Sequence, residues 1–138
     1  MNAMKKLLVL LTMFTAMTSC RKSGCKGNMI AGSYAGTFVR WLGKTGPESK
    51  VNIIFTGNAF NGMSDSTNYP SICDGTFKTM NNPDSIRFTN QCDFPANFDW
   101  TLILQDSYKL IQTGDSLYMR RTIGDLVYEE DVYSLRKQ

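Results

Sequence analysis

The chain has 138 residues, with 15 Lys and Arg against 12 Asp and Glu, no His and four Cys. Without His or a CxxC pair it lacks the usual donor sets for zinc and the usual base for a Ser or Cys nucleophile, so no metal, cofactor or catalytic residue is expected. Setting aside Lys5, Lys6, Arg21, Lys22 and Lys26 leaves fewer cations than the 12 acids, which removes the basic field that nucleic-acid binding needs.

Residues 1–19 read as an address. Lys5 and Lys6 form a basic start, Leu7 to Ala16 is apolar apart from Thr12 and Thr15, and Thr18 and Ser19 lead into Cys20. The apolar run is too short for a permanent span, which needs roughly 20 residues. The pattern ending in MTSC resembles a bacterial lipoprotein signal, which implies cleavage before Cys20 and diacylation of its sulfur. Met17 departs from the Leu, Val or Ile usual at that place, and a simple secretory peptide cut nearby fits the same short run. Residues 20–29 then read as a flexible polar tether containing Gly24 and Gly27, its three cations either ordinary solvated linker charge or attracted to anionic headgroups by about 1 kcal/mol each. Residues 30–138 are of single-domain size.

From residue 31 onward, short alternating segments punctuated by Gly, Asn, Asp and Pro predict strands at 31–41, 50–56, 59–64, 72–80, 85–92, 98–105, 108–113, 116–122 and 126–136. Strands this short and closely connected predict an all-β fold, a single antiparallel meander closing into a barrel of about eight strands, because closure removes exposed edges. A Gly57-Asn58 turn sets Phe55 opposite Phe60 and Ile53 opposite Gly62, with Val51, Ile53 and Phe55 sharing the inner face.

In CDGTFKTMNNPDSIRFTNQC a turn over Asn81 to Asp84 pairs Met80 with Ser85, and the same register brings Phe77 to Phe88 and Cys73 to Cys92. Cysteines facing each other across antiparallel strands stand about 4.5–5.5 Å apart at Cα, within disulfide range. A Cys73–Cys92 bridge contributes roughly 3 kcal/mol by loop closure and leaves Cys25 free or paired between molecules. Further on, TGDS places Gly114-Asp115 in a two-residue turn and IGDL places Gly124-Asp125 in another. Arg120 and Arg121 are then expected to face Glu129, Glu130 and Asp131 as cross-strand charge pairs.

The lipidation signal, the opening GSYAGTF and the closing GDSLYMRR and VYEEDVYSLRK together resemble the small lipocalin-like, calycin-type lipoproteins common in Bacteroidota. Lipocalins carry G-x-W on the first strand, the Trp packing near a basic residue of the last. Gly32, Tyr34 and Arg136 stand at the matching places, with Tyr replacing Trp. The resemblance implies an eight-stranded barrel with an apolar cavity. The residues themselves favour a filled interior, because Tyr34, Phe38, Ile53, Phe55, Phe60, Phe77, Phe88, Trp100, Leu102 and Leu104 are bulky for eight short strands.

Two loops remain. SDSTNYPSI presents Tyr69 beside Pro70, and NQCDFPANFDW presents Phe94, Phe98 and Trp100 just after the bridge. Aromatics on a pinned loop offer contact area at low entropic cost, while the competing expectation is that Phe94 and Phe98 plug the barrel end. Asp93 and Asp99 flank the loop, but Asp is an ordinary turn residue, so no enzyme is expected. Two functions follow. One is a lipid-anchored carrier of a small apolar ligand, with Tyr34, Phe55 and Trp100 among its contacts. The other is a protein-binding envelope module, an assembly partner or a lysozyme-inhibitor-like protein, with a packed barrel. Arg21 follows Cys20 where an Asp or an acidic run would redirect the protein, so resemblance to envelope lipoproteins implies the outer membrane, facing the periplasm.

Overall fold

Strict alternation of buried and exposed side chains runs through Ser49 to Thr56 and again through Ser116 to Arg120, the signature of strands with one face on a core. The computed structural model describes residues 30–81, 84–124 and 129–138. The signal segment, Cys20, the tether with Cys25, and Asp125 lie outside the described residues.

The strands are β1 (Gly32–Leu42), β2 (Thr45–Thr56), β3 (Ala59–Ser64), β4 (Asp74–Asn81), β5 (Asp84–Asn90), β6 (Asp106–Thr113), β7 (Ser116–Thr122) and β8 (Glu129–Lys137). Each pairs antiparallel with its neighbour in sequence, and β1 also pairs with β8, so the sheet is a closed barrel with no open edge. Among the described residues no helix is long and apolar enough to cross a membrane.

The registers expected from two turns are those observed. Phe55 faces Phe60 and Ile53 faces Gly62 between β2 and β3. Phe77 faces Phe88 and Met80 faces Ser85 between β4 and β5. Cys73 and Cys92 lie one and two residues beyond those strands and form the disulfide, with Cα atoms 6.3 Å apart.

Three expectations fail, each for a physical reason. The strand expected at 98–105 is instead a short 3-10 turn, Trp100–Leu102, followed by a parallel bridge between Ile103 and Ser71. Ile103 and Leu104 are consecutive and both buried, which a two-residue alternation does not allow. The strand expected from residue 50 begins at Thr45, because a bulge opposite Arg40 absorbs the Gly46-Pro47 pair that reads as a loop. The two-residue turn at Gly124-Asp125 is replaced by a longer connection, since Arg121 faces Asp131 and Thr122 faces Glu130. The shorter turn would shift the register by three, an odd number, and put Tyr133 and Leu135 opposite outward-facing residues instead of Met119 and Leu117.

The two ends of the barrel differ. One, the hairpin end, is closed by the turns after β2, β4 and β6 and by Ile30, which is 1 % exposed. The other, the mouth, is crossed by the connections 65–73 and 91–105. Between them aromatic rings interlock from end to end. Tyr34 meets Phe55 at 5.6 Å between ring centres, Phe55 meets Phe77 at 5.0 Å, and Phe60 meets Phe88 at 5.0 Å. Phe88, Tyr108, Tyr133 and Phe38 continue the series at 5.8, 5.7 and 4.8 Å. These edge-on and tilted contacts are the preferred packing of aromatic quadrupoles.

Candidate functional site

The mouth is covered by two loops that hold each other. The Ser71 amide donates to the Leu102 carbonyl at 3.0 Å and the Leu104 amide donates to the Ser71 carbonyl at 3.0 Å. Beneath this short ladder Pro70, Ile103 and Leu104 are buried, and Tyr69 drops its ring onto Phe38 at 5.3 Å. The loops therefore form a lid whose inner face belongs to the core.

At one side the disulfide staples the start of the second loop to the start of β4, where the Gln91 amide also donates to the Asp74 carbonyl at 3.0 Å. The Asp74 carboxylate lies 3.1 and 2.9 Å from the sulfurs of Cys73 and Cys92. Among the described residues this trio is the group at metal-ligand spacing, and the disulfide removes the thiolates that a metal would need.

At the other side sits a buried clasp. Arg40 donates from Nε and Nη2 to both oxygens of Asp131 at 2.7 and 2.9 Å, a fork that only a guanidinium offers. Its remaining donors hold the lid, Nη1 to Thr101 Oγ1 at 2.9 Å and Nη2 to the Thr101 carbonyl at 2.7 Å. Arg121 adds bonds to Asp131 at 2.7 Å, to the Gln105 carbonyl at 2.9 Å and to the Thr101 carbonyl. The lid is thus tied to β1, β7 and β8 at once. Arg40 points inward because it keeps the phase of Tyr34 and Phe38, and the bulge in β2 makes room beside it. A Cβ on Gly46 there would come within 2.6 Å of the Arg40 carbonyl and 2.8 Å of the Tyr69 hydroxyl, so only glycine fits.

The charge balance of the clasp explains its electrostatics. Asp131 is 1 % exposed between two arginines, and the surplus positive charge is met from the rim by Asp99, 3.6 Å from Arg40, and Asp106, 3.8 Å from Arg121. Burial alone lowers the pKa of Arg40, but the hydrogen bonds and charge of Asp131 outweigh it and leave that pKa raised. Asp99 is held below the usual carboxylate range, chiefly by the hydrogen bond from Thr101 Oγ1. Arg121 lies over the Tyr108 ring at 4.8 Å, and burial pushes the phenols of Tyr108 and Tyr133 well above their ordinary value.

On top of the lid lie the loop aromatics. Phe94 stacks on Phe98 at 5.0 Å and meets Trp100 edge-on at 6.2 Å. Phe94 and Phe98 are half-buried against each other and Trp100 is 45 % exposed. They do not plug the barrel, a role taken by Leu104, which belongs to the core, and by Leu102, which packs against it. Asp99 caps the 3-10 turn by accepting from the Thr101 amide at 3.0 Å, which fixes the backbone that carries Trp100.

The residues expected to make contacts accordingly divide in two. Tyr34 and Phe55 are sealed in the core, Tyr69 joins core to lid, and Phe94, Phe98 and Trp100 form a ridge outside. Trp100 and Leu102, both expected inside, are respectively exposed and half-buried, because the chain crosses the mouth there rather than running along the wall. Arg136 is exposed and faces Ala35 in register, so it does not cover Tyr34. Arg120 pairs with Glu130 at 3.7 Å on the surface as expected, but the Arg121–Asp131 pair is buried and holds the lid. Arg40 and Thr101 carry no motif in the sequence, although an arginine two residues after Phe38 in the inward phase of β1 is a readable signal. The chain matches no protein-family model, no curated protein and no solved structure.

Proposed function

We propose that this protein is a lipid-anchored envelope module that binds another protein through the aromatic ridge of its lid, its barrel serving as a filled scaffold. The observation that carries this reading is the contrast between interior and lid. The rings inside satisfy one another, whereas Phe94, Phe98 and Trp100 are held together outside by a disulfide and a buried clasp. Rigid aromatics that have already lost their freedom are inexpensive to order on binding. A carrier of small apolar molecules fits less well, because the inward positions that would line its cavity are occupied by interlocking rings.

Anchoring rests on the sequence pattern ending at Cys20, and Arg21 and Lys22 in place of an Asp or acidic run after it support the outer membrane, facing the periplasm. Residues 21–29 reach at most about 30 Å, and the chain enters the barrel at the hairpin end, opposite the lid. Replacing Phe98 by a photo-crosslinking phenylalanine analogue in the full chain tests the reading in intact producing cells. A discrete protein adduct, lost when Trp100→Ala is added, is expected. Native mass spectrometry that recovers a stoichiometric apolar ligand, with no adduct at position 98, would replace the reading by the carrier. Protease shaving of intact cells that removes the protein would overturn the periplasmic placement.

A further inference from the structure

The outer surface of the lid has a charge character of its own. From Val51 to Phe77 and again from Phe88 to Tyr108 the sequence contains no Lys or Arg, yet these stretches hold Asp65, Asp74, Asp93, Asp99 and Asp106. All five are exposed. The cations that serve the lid, Arg40 and Arg121, lie beneath it with side chains only 7 % and 12 % exposed. They offset Asp99 and Asp106 from below. Among the described residues Asp65, Asp74 and Asp93 have no cation within ion-pair distance. Asp74 and Asp93 flank the disulfide, and Asp93 directly precedes Phe94. The ridge therefore presents aromatic faces and carboxylates together, with the compensating positive charge withdrawn into the barrel.

We infer that the lid recognises a cationic protein segment, one that sets Arg or Lys side chains onto the faces of Trp100 and Phe94 while their charges approach Asp74 and Asp93. The inference rests on the ridge being a protein-binding surface and adds the chemistry of the partner. An aromatic face attracts a guanidinium through its quadrupole, and carboxylates at the rim steer and orient the same group. The pattern also disfavours acidic partners, because a carboxylate brought to the ridge meets like charge at several points. Rigidity adds to selectivity, since neither the disulfide side nor the clasp side lets the carboxylates move away from an unsuitable partner.

The test uses the full chain purified in detergent, carrying Trp41→Phe so that Trp100 is the sole tryptophan reporter. Three nine-residue peptides without aromatic residues serve as probes, alternating Leu with Arg, with Gln or with Glu. The Arg peptide is expected to perturb Trp100 emission and to bind at least about tenfold more tightly than the Gln peptide, with the Glu peptide weakest and the advantage shrinking as salt is added. Asp74→Asn with Asp93→Asn should remove most of the Arg advantage and leave the Gln peptide unaffected. Phe98→Ala, followed by Trp100 emission, and Trp100→Ala, followed by titration calorimetry because it removes the reporter, should each weaken the Arg peptide. Equal binding of the Arg and Gln peptides, still lost with Phe98→Ala, would overturn the cationic inference and leave the ridge as a binding surface. Binding of no peptide, or binding indifferent to both ridge substitutions, would overturn the cationic inference; the crosslinking result at position 98 then decides whether the ridge binds protein at all.

Discussion

The two ends of this barrel are built by different means. The hairpin end is closed locally, by Gly57-Asn58, by the connection between Asn81 and Asp84, and by Gly114-Asp115, where glycines at φ 61° and 56° supply the left-handed backbone that tight hairpins need. The mouth is closed by contacts between residues far apart in sequence. Arg40 reaches Asp131 across 91 residues and Thr101 across 61, and Ser71 bridges Ile103. A turn can be replaced by another turn of the same type, but a clasp fails when one member is removed. The contrast shows where a small barrel can carry a recognition surface, namely on the end where two long connections are free of hairpin geometry and held by side chains instead.

The largest expected effect tests that dependence. Asp131→Ala leaves Arg40 and Arg121 buried without their shared carboxylate, and the expected loss is about 3–5 kcal/mol in urea unfolding. Replacing Arg40, Asp131 and Arg121 together by apolar residues of similar volume should recover much of it, because the desolvation cost disappears with the charges. Phe88→Ala is the matching change in the scaffold, with an expected cost of about 3–5 kcal/mol, and it should leave the response of the lid to peptides intact in the folded fraction. If Asp131→Ala proves nearly neutral, the mouth is not held by the clasp.

Removing the disulfide with Cys73→Ser and Cys92→Ser should cost about 3 kcal/mol, and amide exchange should show the loosening concentrated in 91–99 rather than at the hairpin turns. Uniform loosening would mean that the bridge stabilises the whole barrel and not the lid in particular.

A pH series separates core from lid in another way. Tyr108 and Tyr133 hold their protons to higher pH in the folded barrel than the ordinary 10.0, mainly through burial. Above about pH 10 the unfolded chain therefore binds fewer protons than the folded one, so stability is intact below that pH and falls as pH rises beyond it. Tyr133→Phe should flatten this alkaline loss in thermal unfolding followed across the same range.

The smallest expected effect on stability belongs to the residue with the largest expected role in binding. Trp100→Ala should change unfolding by no more than about 0.5 kcal/mol, because the ring is 45 % exposed and lies outside the core. It should nevertheless abolish the adduct formed at position 98. A large loss of stability instead would make the ridge part of the fold.

Much of the scaffold was legible because strand pairing is a local problem wherever a turn is local. Gly57-Asn58 fixed the phase of Ile53 and Phe55, and the turn before Asp84 carried its register out to the cysteines. The last hairpin was misplaced from its glycine, and the signal that corrects it is parity. Leu117 and Met119 can face Leu135 and Tyr133 only if the numbers of opposed residues sum to an even value, which the Gly124-Asp125 turn violates. The lid was not legible, because Ile103 and Leu104 are buried one after the other, only Leu104 in the core, where the chain crosses a hole and follows no alternation.

From the sequence alone came the all-β class, the meander, two registers, the disulfide and an aromatic interior, since each follows from alternation and turn chemistry within a few tens of residues. The tertiary structure alone decided that Arg40, Asp131 and Arg121 meet beneath Thr101, and that Trp100 faces out while Leu104 faces in. Closure of the barrel is the physical reason. It brings β1 beside β8 and stretches the second loop across the mouth, creating contacts whose partners have no periodic relation in the chain.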